Sequence, residues 1–359
     1  MHIPDGYLSP TTCTTLFATS APFLYVALRK VKRQLHTRFL PLLAVFSAFS
    51  FVIMMFNLPL PGGTTGHATG VGVAAVVLGP WAGMLAISIA LLIQALFFGD
   101  GGITTLGANC FNMAVAGCLV ASFLYWLIAR HAPVASPRRV VAAAIAGYGA
   151  INASALLTAI EFGIQPLLFH DASGAPLYAP YPLSVAIPAM MLGHLTFAGF
   201  AELIVSGGVV AYLQKTDPAL LSRTAPSAAG TLSPAWASTR RLWASLALLM
   251  ILTPLGLLSV GSAWGEWAPQ DFKSVAGRAK IASASHGAAP PMAVPSGLHR
   301  LSSFWTAPIP DYAPPVLRNA SFGYMLSAMV GGGLVILVAL ATGWATSRFA
   351  RDPSGNGDE

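Results

Sequence analysis

The chain predicts an all-α polytopic membrane protein. Only 9% of its 359 residues are charged, against about 25% in an ordinary soluble domain. Hydrophobic residues make up 55%, the mean hydropathy is +0.68, and several apolar runs approach the roughly 20 residues that carry a helix across a bilayer. A soluble globular enzyme is excluded by this composition. The basic balance, formally +7, does not mark a nucleic-acid binder, because 19 Lys and Arg are scattered along the whole chain and show no single basic patch.

Hydropathy and helix breakers place apolar spans at 12–28, 40–56, 68–79, 82–98, 106–129, 139–165, 183–213, 242–262 and 323–346. The third is too short to cross alone at 1.5 Å per residue, and Gly79-Pro80 separates it from the fourth, so it reads as a half-helix or a tilted segment shielded by its neighbours. Positive charge then sets the orientation. Arg29, Lys30, Lys32, Arg33 and Arg38 follow the first span, and Arg130, Arg138 and Arg139 follow the fifth. Lys215, Arg223, Arg240 and Arg241 follow the seventh, and Arg348 and Arg351 the ninth. These 14 of the 19 basic residues fall on one side, the cytoplasmic side of an inner (plasma) membrane. Lys273, Arg278, Lys280, Arg300 and Arg318 lie in one long loop, 263–322, which the rule tolerates. The N-terminus is then extracytoplasmic and the C-terminus cytoplasmic. MHIPDGYLSP has neither a basic n-region nor a long apolar core, so no signal peptide is expected.

The spans group into a seven-span domain over 1–215 and a two-span domain over 241–348. A Pro-, Ala- and Ser-rich cytoplasmic linker, 216–240, joins them, and 349–359 form a polar tail. Cys13, Cys110 and Cys118 form no CxxC pair, lie in or beside apolar stretches, and read as packing thiols.

The sharpest chemical feature is at the start. Methionine is generally retained before a bulky second residue, so the Met1 amine, the His2 backbone nitrogen and a His2 ring nitrogen can close fused chelate rings around one ion. An amide nitrogen binds only after losing its proton, and ions high in the Irving–Williams order that accept planar nitrogen fields, Ni(II) and Cu(II) above all, compensate that loss best. Hard Mg(II) and Ca(II) do not. His67, in PGGTTGHATG on the same outer side, offers a fourth nitrogen, the alternative being a helix-capping or interfacial histidine. Both histidines are expected on outer loops, filling no core volume. In FFGDGGITTLGANCFNM, Asp100 and Asn109 read as groups that hold a ligating imidazole, or Asp100 caps a helix starting near Thr104. Inside the spans, Glu161, His194 and Glu202 have two readings, a cation or proton pathway and polar contacts that fasten helices. No GxxxxGK[ST] motif occurs, so ATP phosphates have no Walker loop here. HExxH and similar hydrolase spacings are also missing.

MHIPDGYLSP at 1–10, GTTGHATG at 63–70, LGPWAGM at 78–84 and LLIQALFFGDGGITTLGANCFNM at 91–113 closely resemble the CbiM/NikM family. That family is the substrate-capture component of energy-coupling factor (ECF) transporters for cobalt and nickel. The resemblance covers 1 to about 215 and implies an S-component bundle of about seven spans. It also implies a transport subunit and not an enzyme, with Co(II) or Ni(II) as cargo, no resident cofactor, and Met1, His2 and His67 as metal ligands. Two cytoplasmic ATPases and one transmembrane coupling subunit are the implied partners, and the small residues of AVAGCLVAS, 114–122, would suit packing against the latter. AWGEW at 263–267, PSGLHRLSSFWTAPIPDY at 295–312 and the last span are similar to the small accessory subunit of these transporters, fused in line. Where the nickel-type accessory sequence carries PDGLE, this loop has PQDFKSVAG at 269–277, so that motif does not decide between nickel and cobalt. A self-sufficient secondary transporter using Glu161, His194 and Glu202 is the rival reading.

Overall fold

The computed structural model describes residues 1–32, 39–222 and 235–348. Arg33, Arg38, Arg223, Arg351, residues 223–234 of the 216–240 linker and the 349–359 tail lie outside the described residues. The described chain is a helical bundle. Helices α1 (Pro10–Lys32), α2 (Leu40–Ile53) and α3 (Val71–Leu78) are followed by α4 (Pro80–Phe98) and α5 (Leu106–Ala129). Then come α6 (Pro137–Leu168), α7 (Leu183–Thr216), α8 (Ala235–Leu252), α9 (Val275–Ala284) and α10 (Ala320–Arg348). Among the described residues seven helices are long and apolar enough to cross a membrane; α2, with 14 residues, and α3, with 8, are shorter. Phe123, Phe197, Ile204, Leu248 and Leu337 stand exposed on the long helices, as expected of faces turned to lipid rather than water.

Two features lie outside what hydropathy shows. A two-stranded hairpin, β1 (Leu58–Leu60) and β2 (Thr64–Gly66), precedes α3, with Leu60 opposite Thr64. Its turn uses Gly62 and Gly63 at φ +82° and +76°, a region glycine enters at little cost. Helices α4, α5 and α7 each contain a π-turn, at Gln94–Phe98, Cys110–Ala116 and His194–Ala198. Such a turn frees backbone carbonyls. At the end of α4 the long loop takes them: Trp305 Nε1 donates to Leu96 O at 2.9 Å and Ile309 N to Phe97 O at 2.9 Å.

Helix α2 is buried along nearly its whole length, and α10 covers it through glycines. A Cβ on Gly331 would lie 2.1 Å from the Phe51 ring, and one on Gly343 2.4 Å from Leu40. The small residues of α5 are likewise occupied within the chain. Ala114, Cys118 and Ala121 are fully buried, and Cβ atoms placed on Gly83 and Gly117 would lie 3.1 Å from Cys118 Sγ and Ser154 Oγ. The three cysteines are free and buried, as packing thiols should be.

The short helix α3 sits in a notch between α6 and α7. A Cβ on Gly72 would lie 2.6 Å from Gly147 Cα and 2.3 Å from Ser206 Oγ, and one on Gly147 would lie 2.3 Å from that same hydroxyl. The Gly147→Val protein should therefore melt lower in detergent by an amount corresponding to about 1–3 kcal/mol, the usual cost of overpacking. An unchanged melting temperature would mean that α3 does not depend on this close approach.

Candidate metal centre

Three segments converge on one end of the bundle: residues 1–9, the stretch 64–72 and the turn 99–105. The N-terminal segment is threaded into the protein, with Met1, His2, Ile3, Tyr7, Leu8 and Ser9 all buried. Its backbone is satisfied there by other parts of the chain. Ile3 N donates to Asn109 Oδ1 at 2.8 Å, while Ile3 O accepts from Asn109 Nδ2, Gly102 N and Thr105 Oγ1. Tyr7 O accepts from Ala179 N, and Ser9 N donates to Gln165 Oε1. Gly102 allows this approach, since a Cβ there would lie 2.4 Å from Asp5 N.

His2 and His67 meet inside this assembly with ring centroids 5.2 Å apart and planes inclined by 30°. His2 Nδ1 lies 2.8 Å from Asp100 Oδ1, and His67 Nδ1 lies 3.1 Å from Ala68 O. A hydrogen bond at Nδ1 leaves the lone pair of the neutral ring at Nε2, and His2 Nε2 is buried with no hydrogen-bond partner. Both histidines are 8% exposed or less, which corrects the expectation of loop residues outside the core: the strand of chain that carries each one is drawn inward. The Met1 ammonium lies 3.8 Å from Glu266 Oε1. A fused chelate through the His2 amide closes on Nδ1, the ring nitrogen nearer the backbone, so that arrangement requires Nδ1 to leave Asp100. Among the described residues no three His, Cys, Asp or Glu side chains are arranged for a metal. The amine and amide nitrogens expected here are not side-chain donors.

Asp100 is the hub. Besides His2 it accepts from Tyr312 OH at 2.6 Å and from Gln94 Nε2 at 3.2 Å. Burial alone would raise its pKa, but the charge and hydrogen bond of His2, with His67 and Tyr312 adding to them, hold it below the usual carboxylate range. The helix-cap reading of Asp100 is corrected, because its hydrogen bonds go to the side chains of His2, Tyr312 and Gln94, and the amides just before α5 go to Asp5, which accepts from Ile103 N at 3.2 Å and Thr104 N at 2.7 Å. Asn109, by contrast, holds Ile3 and makes no hydrogen bond to either imidazole.

The long loop closes over the site, a role that spacing and composition did not reveal. Thr65 N donates to Ser262 O, Tyr7 OH bonds both backbone polar groups of Trp267, and Tyr312 stacks on Phe98 at 4.7 Å. A cavity of about 390 Å³ remains between loop and bundle, lined by His67, Asp100, Glu266, Asp311, Tyr312 and Tyr324 among others. Its three carboxylates favour a cation.

Each member of the intramembrane trio is engaged in a contact of its own. Glu202 caps α3, accepting from Thr69 N at 2.6 Å, Gly70 N at 2.9 Å and Gly72 N at 3.1 Å, with the hydroxyls of Thr69 and Ser206 adding two more bonds. Glu161 accepts from Asn112 Nδ2, and His194 Nδ1 meets Met190 O. Among the described residues no hydrogen bond joins the three to one another.

A model of the cobalt uptake substrate-specific transmembrane region matches residues 2–220, and a PDGLE domain model matches 239–348 even though the pentapeptide is absent. The chain is 59% identical to the fused nickel transport protein NikMN of Rhodobacter capsulatus, covering 94% of this chain and 95% of that one. It is 41% identical to the probable fused nickel transport protein LarMN of Lactiplantibacillus plantarum over 94% of this chain and 96% of that one. A crystal structure described as a truncated transition metal transporter is 53% identical and superposes with a TM-score of 0.57. That match covers 60% of this chain and 99% of that one.

Two predictions follow from the site's geometry. Glu202→Ala strands three backbone N–H groups, each worth about 1–3 kcal/mol when buried unpaired, so it should lower the melting temperature and speed hydrogen exchange at 69–72; protection equal to wild type would deny the cap its role. Burial, with the nearby His2 and Met1 charges, pushes the His67 pKa down to about 3. The unfolded chain therefore binds the proton first, and the stability this group contributes is complete above about 6.5 and lost as pH falls toward 3. Melting curves from pH 7 to 4 should decline less for His67→Gln than for wild type.

Proposed function

This chain belongs to the cobalt-uptake substrate-specific transmembrane (CbiM) family, a family of nickel and cobalt transport proteins, and from that premise we propose that it captures Co(II) or Ni(II) at the extracytoplasmic end of the bundle for ATP-driven import. The observation that carries the proposal is the buried pair of facing imidazoles, with Nε2 of His2 left unpartnered. An unpaired buried nitrogen is costly, and an ion that accepts nitrogen ligands removes that cost. Met1, His2 and His67 supply the nitrogens. The Met1 amine gives up its contact with Glu266, and Asp100 orients the His2 ring as a carboxylate commonly does for a metal-bound imidazole. The acidic cavity above concentrates cations at the mouth of the site.

The basic ends of the helices, carrying Arg29, Lys30, Lys32, Arg130 and Lys215, support an orientation with this basic end in the cytoplasm and the histidine end outside. Release into the cell requires energy that no motif of this chain harvests. Two ATPases and a transmembrane coupling subunit of the ECF type would provide it, with the chain acting as a transport subunit rather than an enzyme. The 1–215 and 241–348 parts then act as capture and accessory domains.

His2→Ala and His67→Ala should each lose metal binding, read by calorimetry on the purified protein. Asp100→Asn and Tyr312→Phe should weaken it about 10- to 100-fold, as loss of a group supporting a ligand does. Normal binding by either histidine variant removes that residue from the ligand set. Because the Met1 ammonium must shed its proton before its nitrogen can bind, proton release should accompany each ion bound, countable in buffers of different ionisation enthalpy. Uptake in liposomes should require the ATPases and the coupling subunit. Transport by this chain alone would replace the ATP-driven reading with a secondary transporter.

A further inference from the structure

The opposite end of the bundle holds an arrangement that metal capture does not use. Arg139, third residue of α6, is 1% exposed, and a guanidinium keeps its charge under all ordinary conditions. Among the described residues every partner it has is neutral. Nε donates to Ala132 O at 3.0 Å and Pro133 O at 3.1 Å, Nη2 to Ala132 O at 2.8 Å and Nη1 to Tyr125 OH at 2.9 Å. Three of its five N–H groups are thereby engaged, and two are left. The two ion pairs among the described residues both lie at the histidine site, so Asp217, the acidic residue closing α7 at this end, does not neutralise it. The helix N-terminus adds further positive potential, as does the adjacent Arg138.

A buried charge without a counter-ion is strongly unfavourable, and the structure shows where one fits. A cavity of about 280 Å³ is lined by Arg139, Arg130, Tyr125, Ser122, Trp126 and the Gly79-Pro80 turn. Ser122 Oγ is buried there without a hydrogen-bond partner. Lys30 reaches the same turn, its Nζ 4.2 Å from the ring of Trp81, the residue after Pro80. Two arginines, an idle hydroxyl and no carboxylate make an anion site.

The surroundings select the anion. Phe123, Trp126 and Leu127 are 59%, 50% and 49% exposed and share one face of α5 with Arg130 by their helical spacing. An apolar track thus leads along the helix to a cationic end, with an aromatic residue at the level where membrane proteins place their interfacial belts. A free inorganic anion would gain nothing from that track. We propose that this cavity binds the headgroup phosphate of an anionic phospholipid, which serves as the counter-ion of Arg139 while its acyl chains lie along Phe123, Trp126 and Leu127. Basic pockets between membrane helices suit such headgroups.

The test uses the full chain purified in a zwitterionic detergent, titrated with phosphatidylglycerol, phosphatidylcholine or inorganic phosphate, and reads melting temperature and retained lipid by native mass spectrometry. Phosphatidylglycerol should raise the melting temperature and remain bound, phosphatidylcholine should do so at least tenfold more weakly, and phosphate at the same concentration should do nothing. Because Arg139 also fastens the 132–133 backbone and Tyr125, its loss would disturb the fold, so Arg130→Gln and Ser122→Ala are the working variants. Each is compared with its own lipid-free melting temperature, and Arg130→Gln should weaken phosphatidylglycerol binding about tenfold. Equal responses to the two lipids, or a wild-type response from Arg130→Gln, would overturn the site. A full response to inorganic phosphate would assign it to a soluble anion instead. Burial of Arg130 by an added coupling subunit, with no response to phosphatidylglycerol, would assign it to a protein partner.

Discussion

A carboxylate buried deep in the bundle sets the position of the histidine site. Residues 67–72 turn from an extended strand into the short helix α3 inside apolar surroundings, where no water is at hand for the first N–H groups of a helix. Glu202 meets three of them. A negative charge there also opposes the positive end of the helix dipole, so one side chain satisfies the donors and the field together. His67 lies immediately upstream of the anchored residues, which is why its ring is held at a fixed depth rather than swinging on a surface loop.

The second half of the site is held by a backbone. Ile3 is gripped on both polar groups by Asn109, Gly102 and Thr105, so His2 is carried on a peptide segment with little freedom beside a histidine whose position is set from another direction. Two rings supported by independent elements can come together without sharing a hydrogen bond. Asp100 fixes the rotation of one and Ala68 O that of the other. The long loop then seals the arrangement by pairing with the hairpin ahead of His67 and by sending Tyr312 to Asp100. The π-turn at the end of α4 belongs to the same design, because the carbonyls it frees become the docking points for Trp305 and Ile309.

Much of this was legible in the residues. Low charge and apolar runs determine a polytopic helical chain, since in a bilayer a helix is the structure that satisfies its own backbone. Gly79-Pro80 marks α3 as a short piece. Met1, His2 and His67 stand out because amine, amide and imidazole nitrogens suit a late transition metal, and the chain places the first two next to each other. Asp100 was identified as a support for an imidazole, and the structure puts it 2.8 Å from His2.

What the tertiary structure alone decided concerns groups far apart in the chain. That Asp5 and not Asp100 meets the amides before α5, that Asn109 holds Ile3 rather than a ring, and that Glu202 caps α3 all depend on contacts across about 100 residues or more. Tyr312 and Glu266 reach the site from the long loop, more than 200 residues along the chain from the Asp100 and Met1 groups that they meet. Local spacing reports which side chains share a helix face, and it carries no information about which distant backbone donor a carboxylate will find. In sequence Glu202 is an isolated charge in an apolar run, and Arg139 is one of the basic residues that follow the fifth span. The packing around them determines that the first is fully partnered and that the second, among the described residues, has no counter-ion, because the energy of a buried charge depends on the groups that surround it.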